Sequence, residues 1–231
     1  MNPKLKQTRA RSEDKKADQF ERILEAGKQL FLEKGSQGFS MRNLAEMLGM
    51  TKNNLYNYIE SKRELWIAIR NKFYSQFKEE NLKIIKNHEG SKCDLILKLY
   101  GHFLDFAEQD YDKFKMMFNV IEAPPSSKIG PIEKTYKEFK LLDGTTKIIQ
   151  EAIDKGEIKK NVAPVLSLIS YSLVMGVAYI QMNRTDDHGM APSPVWETIH
   201  LSKLDVSNEL LKNYTLKVLE DILKNKSSTI L

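Results

Sequence analysis

Four side chains that can hydrogen-bond to the edges of DNA bases are crowded into one short stretch of this chain, at Lys52, Asn53, Asn54 and Asn57. Lysine suits the acceptor atoms of guanine, whereas asparagine suits the donor and acceptor pair of adenine. The apolar residues Leu55, Tyr58 and Ile59 fall between them, so one face of a helix would be polar and the other buried. The stretch is therefore predicted to be a short helix that reads bases in the major groove.

The residues in front of this helix predict a second helix and the tight turn that joins the two. Ala45 is small enough for the helices to cross closely, and Gly49 stands where the first helix must end with positive φ. Ser40 and Thr51 are expected to cap the starts of the two helices. Residues 41–60 thus predict a helix-turn-helix. An ordinary helical hairpin is the alternative, but it would not need polar residues along the outer face of its second helix.

Groups suited to the sugar-phosphate backbone surround the same stretch. The amides at the helix starts near Ser40 and Thr51 attract phosphate. Tyr56 points its hydroxyl outward, and Lys62 lies in the first turn of the next helix. Capping alone would also explain Ser40 and Thr51, and the two roles are compatible. The expected DNA contacts are Ser40, Thr51, Lys52, Asn53, Asn54, Tyr56, Asn57 and Lys62.

Two further helices are predicted around the motif. Apolar residues at three- and four-residue spacing predict an amphipathic helix over residues 18–34 that ends at Gly35. Ser61 and Glu64 form the pattern of a capping box, in which serine and glutamate satisfy each other's end of the helix start. The helix that begins there is expected to run to about Lys86.

With these flanking helices the chain resembles the TetR family of transcriptional regulators over residues 20–66. The residues that carry the resemblance are Ile23, Leu24, Leu30, Phe31, Gly35, Leu44, Ala45, Leu48, Gly49, residues 55–59, Ser61, Lys62 and Leu65. In that family the residues that match Ser40, Thr51, Tyr56 and Lys62 commonly touch phosphates. The family usually has glycine where Asn53 stands and phenylalanine where Ile59 stands. Ile59 keeps the apolar contact, but Asn53 adds a side chain that faces the groove, so no operator sequence can be borrowed from the family.

Charge and cysteine content agree with a cytoplasmic DNA-binding protein. The net charge is +5; residues 1–90 hold 18 Lys and Arg against 12 Asp and Glu, and residues 91–231 hold 18 against 19. The excess positive charge is thus confined to the helix-turn-helix half, as phosphate binding requires. The single cysteine, Cys93, excludes an internal disulfide framework. The N-terminus lacks the apolar run of a secretory signal.

The first 17 residues are rich in lysine and arginine and poor in apolar residues, so a flexible basic arm is expected there. Such an arm would add phosphate contacts or enter the minor groove, and a solubilising tail is the alternative. The expected division is therefore an arm over residues 1–17, a helix-turn-helix DNA-binding domain over 18–64, and a helical ligand-binding and dimerisation domain over 65–231.

Beyond Lys86 the chain keeps helical periodicity, over residues 92–108, 110–121, 132–154, 163–184 and 204–225. Breaks are expected at Pro124-Pro125, at Gly156 and in a loop around 185–195. No stretch alternates convincingly enough for a strand. The predicted fold class is all-α, with an N-terminal helix-turn-helix three-helix DNA-binding domain followed by a larger helical ligand-binding and dimerisation domain.

Residues 162–183 carry no charged side chain, and a stretch of this length meets the criterion for a membrane span. A helix buried in a soluble oligomer needs the same apolarity. Three serines, Pro164 and Gln181 weigh against a span, so no membrane partner is expected. In the family, this helix and the last one pair with their copies in a four-helix dimer interface. A homodimer also has a functional reason, since two short recognition helices read more bases than one.

A ligand pocket is expected between the middle helices, because aromatic residues and methionines suit a flexible apolar cavity. Simple core packing is the alternative for each residue. The predicted lining is Tyr100, Phe103, Phe106, Met117, Tyr136, Phe139, Tyr171 and Met175. The effector would be small and partly apolar. Its binding would favour a state in which the two recognition helices no longer match successive grooves.

The sequence has no arrangement typical of catalysis, such as a phosphate-binding glycine loop, paired histidines or a nucleophile in a recognisable turn. We therefore expect no enzymatic activity, cofactor or metal, and a solvated loop at Asp186-Asp187-His188. Two functions remain. One is a homodimeric repressor that a small-molecule ligand releases from a palindromic operator in double-stranded DNA. The other is a DNA-bound interaction protein of the nucleoid-occlusion type on the same fold.

Overall fold

The computed structural model describes residues 3–118, 122–137, 139–159, 162–184 and 206–224. Within these residues the chain forms ten helices and no strand. They are α1 (Pro3–Gly38), α2 (Met41–Leu48), α3 (Lys52–Leu55), α4 (Lys62–Lys86), α5 (Lys92–Gln109), α6 (Tyr111–Met117), α7 (Pro131–Lys134), α8 (Leu141–Asp154), α9 (Ala163–Arg184) and α10 (Asn208–Lys224). The expected all-α fold, with a helix-turn-helix followed by a larger helical part, is confirmed.

The helices gather into two compact units. The first contains Met1–Gln76 and Asp112–Glu138, and the second contains Phe77–Tyr111 and Phe139–Leu231. The division falls inside α4, whereas the sequence suggests a boundary after residue 64. We call Asp112–Glu138 the inserted segment. It belongs to the first unit because residues of α4 bind it through hydrogen bonds, an ion pair and aromatic contacts.

Three aromatic rings form the centre of the first unit. Phe31 lies edge-on to Phe39 and Trp66, with ring centroids 6.2 and 5.2 Å away, and Phe39 meets Trp66 at 5.7 Å. Edge-to-face contacts of this kind add to the stabilisation from burial. Leu44 of α2 and Leu55 of α3 are fully buried. The two helices of the motif are therefore anchored by their apolar faces.

The predicted end of α2 at Gly49 is confirmed, and α1, which is predicted to end at Gly35, is kinked there and runs on to Gly38. The chain leaves helical geometry at Gly35, where φ is 62°. Gly49 has φ 63°, and the next amide, Met50 N, donates to Ala45 O at 2.9 Å. This is the hydrogen bond of a Schellman turn, which needs a left-handed residue at the glycine position.

Three predicted boundaries are wrong. α1 begins at Pro3 rather than at residue 18, so residues 3–17 are helical where a flexible arm is expected. No proline follows Pro3 in α1, and lysine, arginine, glutamate and alanine favour a helix. α6 ends at Met117, before the predicted limit of residue 121. The helix predicted over 132–154 is broken into α7 and α8. There, contacts of Glu133 and Tyr136 with α4 outweigh local helical propensity.

The second unit is built from α5, α8, α9, α10 and the last part of α4. α9 packs against α5, α8 and α10, and its buried side includes Val174, Ala178 and Met182. By length and composition alone, residues 163–182 of α9 would suit a membrane span. Packing against three helices accounts for the apolar residues on the buried side of α9 without one. The loop expected around 185–195 lies outside the described residues.

Two glycine substitutions separate the effect of backbone conformation from that of the space available for a side chain. A Cβ at Gly49 or at Gly144 would meet no atom within 4 Å, but only Gly49 has positive φ. Gly49→Ala is expected to lower the free energy of unfolding by about 1–2 kcal/mol. Gly144→Ala, inside α8, should raise it by about 0.5–1 kcal/mol. Urea unfolding of both variants checks this, and equal effects would contradict the conformational explanation.

Candidate nucleic-acid interface

The second helix of the motif exposes its polar side chains and buries its apolar ones, as the spacing predicts. α3 is one turn long and continues as a turn through Tyr58. Leu55 and Ile59 are buried and Tyr58 is half-buried. The exposed residues are Thr51, Lys52, Asn53, Asn54, Tyr56 and Asn57. Six of the eight predicted DNA contacts therefore lie on one exposed stretch.

Ser40 and Thr51 cap α2 and α3, which confirms the expected caps. Ser40 Oγ accepts a hydrogen bond from Asn43 N at 3.1 Å, and Thr51 Oγ1 accepts one from Asn54 N at 3.2 Å. Each hydroxyl uses a lone pair in this bond and keeps its O–H proton as a donor. Capping and phosphate binding are thus chemically compatible at both residues. The phosphate contacts themselves stay a prediction.

Two lysines of the predicted interface lie beside aromatic rings. Lys52 Nζ is 6.0 Å from the centroid of the Tyr56 ring, and Lys62 Nζ is 5.5 Å from that of Phe39. Burial lowers the pKa of Lys62, because the charged ammonium loses hydration. A phosphate oxygen would replace part of that lost solvation. Lys62 is therefore suited to a contact with the DNA backbone.

The turn between α3 and α4 is held by Ser61 and Glu64, but only half of the predicted capping box is right. Ser61 Oγ accepts from Glu64 N at 3.1 Å, as expected. The Glu64 carboxylate accepts from Glu60 N at 2.7 Å, one residue before the position that a capping box uses. Its other oxygen accepts from Ile132 N at 2.9 Å. The inserted segment supplies this second donor, which the sequence around Glu64 does not reveal.

A cleft of about 290 Å³ opens beside this turn. Residues 56–60 and Glu64 form one part of its lining, Lys16 and Phe20 of α1 another, and Pro131 and Ile132 of the inserted segment a third. The cleft thus borders both the turn that follows α3, at residues 56–58, and the inserted segment.

In the second unit, four hydroxyl groups lie close together in the core between α5, α8 and α9. Thr145 Oγ1 is 3.2 Å from Ser167 Oγ. Burial raises the pKa of Tyr100 to about 12, and the nearby hydroxyls of Thr145, Ser170 and Ser167 offset part of the increase. Among the described residues, no atom lies in hydrogen-bonding geometry with the hydroxyl oxygen of Tyr100 or of Ser170. The core between α5, α8 and α9 is therefore polar at this point.

The predicted pocket residues are distributed over both units. Met117 and Tyr136 belong to the first unit, and the second holds Tyr100, Phe103, Phe106, Phe139, Tyr171 and Met175. Phe103 and Tyr171 meet edge-on, with centroids 6.2 Å apart. That the eight line one pocket stays a prediction. Thr145, Ser167 and Ser170 are absent from the predicted set. Two serines three residues apart in an uncharged helix could have indicated a polar site in the core.

The described residues offer little redox or metal chemistry. Burial raises the pKa of the Cys93 thiol, which disfavours the reactive thiolate. Within the ranges that the structure describes, no three or more His, Cys, Asp or Glu side chains converge in a group that could hold a metal ion. Asp186, Asp187 and His188 lie outside these ranges.

Comparisons with known proteins agree on one class of protein. The family model of bacterial regulatory proteins, tetR family, matches residues 23–69 of this chain. The HTH-type transcriptional repressor NemR of Escherichia coli strain K12 is 27% identical over 88 residues. This match covers 38% of the chain and 44% of NemR, so the chain spans less than half the length of that curated relative.

Solved structures share the fold over most of both chains. AibR in complex with isovaleryl coenzyme A and operator DNA has a TM-score of 0.56 at 17% identity, covering 86% of this chain and 96% of AibR. FadR from Bacillus subtilis in complex with stearoyl-CoA has a TM-score of 0.56 at 17% identity, and the match covers 87% of this chain and 97% of FadR. A transcriptional regulator from Cytophaga hutchinsonii has a TM-score of 0.56 at 22% identity, and the match covers 90% of this chain and 97% of the regulator. At these identities the likeness establishes the fold.

Tyr100 should make the stability of the protein fall at alkaline pH. Its pKa is about 12 in the folded protein and about 10 in an unfolded chain. Between these values the unfolded state loses the phenol proton first, so rising pH favours unfolding. The contribution of Tyr100 to the free energy of unfolding is fully present below about pH 10. It falls by about 1.4 kcal/mol per pH unit up to about pH 12. Urea unfolding across this range should show a shallower fall for Tyr100→Phe than for the wild type. Identical falls would contradict the assignment to Tyr100.

Proposed function

We propose that this chain, which belongs to the TetR family of bacterial regulatory proteins, is a homodimeric transcriptional repressor that a small-molecule ligand releases from a palindromic operator. The observation that carries the DNA-binding part is the exposed polar face of α3 and its turn. Lys52, Asn53 and Asn57 are exposed there, beside the start of α4 and Lys62. The excess positive charge of residues 1–90 supports the same function.

An exposed apolar face on α9 and α10 supports the homodimer. Leu168 of α9 and Tyr214 of α10 are 55% and 63% exposed. Val165, Ile169, Leu210 and Val218 are exposed too, and the two helices contact each other. Contiguous apolar surface of this kind marks an interaction site. Ser172 and Gly176, also exposed on α9, would let a second copy approach closely. Two copies of α9 and α10 would then form a four-helix interface.

The second unit is the proposed effector domain. Neighbours with the same fold bind isovaleryl coenzyme A and stearoyl-CoA, which supports a small, partly apolar effector for this chain. Phe103 and Tyr171 offer an aromatic surface, and the buried hydroxyls around Tyr100 offer polar partners. Such a mixture of apolar walls and few polar groups is typical of ligand sites.

The proposed regulator is a soluble cytoplasmic protein without catalytic activity. Its relatives are transcriptional regulators rather than enzymes. A DNA-bound interaction protein of the nucleoid-occlusion type is the second candidate, since the exposed face of α9 and α10 would also serve another protein. Loss of DNA binding on addition of a small ligand favours the repressor over this alternative.

Selection of genome fragments by the purified protein, at physiological salt and with competitor DNA, tests the function. Recovery of a few palindromic sites near promoters is the expected result, and the flanking genes would indicate the class of effector. Salt-sensitive binding without a preferred site would favour the interaction protein. Absence of DNA binding would overturn both candidates.

Base and phosphate contacts should respond differently to substitution. Asn53→Ala is expected to relax preference at one base position of each half-site, at a cost of about 1–3 kcal/mol. Lys62→Ala should weaken binding to all DNA sequences alike. It should also lower the salt slope, the slope of log affinity against log salt concentration, by about 1 for each copy of the residue. Lys155→Ala removes the same charge from an exposed site in the second unit and serves as the control. Titrations with the selected site at several salt concentrations measure these effects, and a salt slope unchanged by Lys62→Ala would contradict the phosphate contact.

A charge placed on the exposed face of α9 should separate the dimer. Leu168→Glu puts a carboxylate in the proposed interface, and desolvating it there is costly. Leu82→Glu makes the same change at a leucine of α4 that is 51% exposed. We expect monomers for the first variant and dimers for the second in sedimentation equilibrium. A dimeric Leu168→Glu variant would place the interface elsewhere.

A further inference from the structure

The inserted segment is fastened along one face of α4. Its contacts are the ion pair of Arg63 Nε with Glu133 Oε1 at 2.6 Å, the Arg70 guanidinium 5.2 Å from the centroid of Tyr136, and a hydrogen bond that the Tyr74 hydroxyl donates to Met117 O. Residues 63, 70 and 74 of α4 are seven and four apart, so they share a face. The segment therefore follows the first half of α4, within the first unit.

Glu64 stands at the start of this face and is 1% exposed. Its Oε2 accepts from Glu60 N at 2.7 Å, and its Oε1 accepts from Ile132 N at 2.9 Å. An ionised carboxylate can only accept hydrogen bonds, and a buried one needs donors to offset its lost hydration. One side chain thus joins the residue after the DNA-reading turn to the inserted segment.

Gly130 shows how closely the inserted segment approaches this carboxylate. A Cβ at position 130 would lie 2.1 Å from the nearest carboxylate atoms of Glu64. Gly130 has φ −82°, so the position requires glycine for space rather than for backbone conformation. Any side chain here would displace the carboxylate or the segment.

We propose that Glu64 is a positioning residue that couples the inserted segment to the DNA-reading turn. Its carboxylate fixes Glu60 relative to Ile132, and Glu60 follows the turn that carries Tyr56 and Asn57. The segment begins within α6, three residues after the end of α5, and ends three residues before the start of α8. α5 and α8 carry Tyr100 and Thr145. Movement of either end would act on the turn through Glu64. The coupling rests on the proposed function, because it acts on a turn proposed to bind DNA.

Glu64→Gln tests the coupling with little change of shape. The glutamine amide has one acceptor oxygen, and its NH2 group donates, so it satisfies one of the two backbone N–H groups and not the other. Loss of a hydrogen bond to a charged group corresponds to about a ten- to hundredfold change in an equilibrium. We expect the amide of Glu60 or Ile132 to exchange that much faster with solvent. DNA affinity should fall by a similar factor with the salt slope unchanged, since no phosphate contact is removed.

Gly130→Ala and Glu133→Gln complete the design. Gly130→Ala disturbs the same junction sterically and should weaken DNA binding as Glu64→Gln does. Glu133→Gln removes the charge of the neighbouring ion pair but leaves both hydrogen bonds of Glu64, and it should bind DNA nearly as the wild type does. Affinities are measured well below the melting temperature of each variant with a fragment selected by the wild type, so that loss of stability alone does not change them.

Each outcome decides the proposal. Faster amide exchange together with weaker DNA binding supports it. Faster exchange with unchanged DNA affinity overturns it, because Glu64 would then stabilise the fold without positioning the turn. Unchanged exchange in Glu64→Gln overturns it as well. If the wild-type protein selects no DNA, the proposed function fails and the role in DNA reading fails with it. The exchange data still report whether the Glu64 hydrogen bonds form, which separates the two failures.

Discussion

A helix of one turn is not stable by itself, so the exposed polar face of α3 depends on the burial of Leu55 and Ile59. Isolated helices shorter than about 12–15 residues are marginal in water, and α3 spans only Lys52–Leu55. Burial of an aliphatic side chain contributes about 1.5–3 kcal/mol, which is more than the hydrogen bond of the Thr51 cap supplies. The orientation of Lys52, Asn53 and Asn57 is thus a consequence of the apolar contacts on the other side of the helix.

The features that the sequence predicted correctly have causes within a few residues of each other. Ser40 and Thr51 bond to amides three positions ahead. Gly49 supplies the left-handed conformation that ends α2, and Gly35 has positive φ at the kink in α1. The helix-turn-helix could therefore be located, with its caps and its exposed face, from spacing alone. The contacts of these residues with DNA remain predictions, because they depend on a partner.

The features that the sequence did not predict have causes far along the chain. Glu64 bonds to Ile132, and Arg70 stacks on Tyr136, so the region predicted as one helix over 132–154 is interrupted. No local pattern around residue 132 indicates these partners. α9 illustrates the same limit: its serines and Pro164 weigh against a membrane span, but its sequence does not name the helices it contacts, and its packing against α5, α8 and α10 becomes visible only in the structure.

The start of α4 differs in its electrostatics from the starts of α2 and α3. Each helix start carries a partial positive charge that favours anions. Ser40 and Thr51 cap α2 and α3 with neutral hydroxyls, so that charge is left for a phosphate. At α4 the buried Glu64 carboxylate lies in the first turn and already compensates it. A phosphate at the start of α4 would therefore have to be attracted by a side chain, and Lys62 offers a cation there, beside the Phe39 ring. The Glu64 carboxylate thus leaves the proposed backbone contact of α4 to the side chain of Lys62.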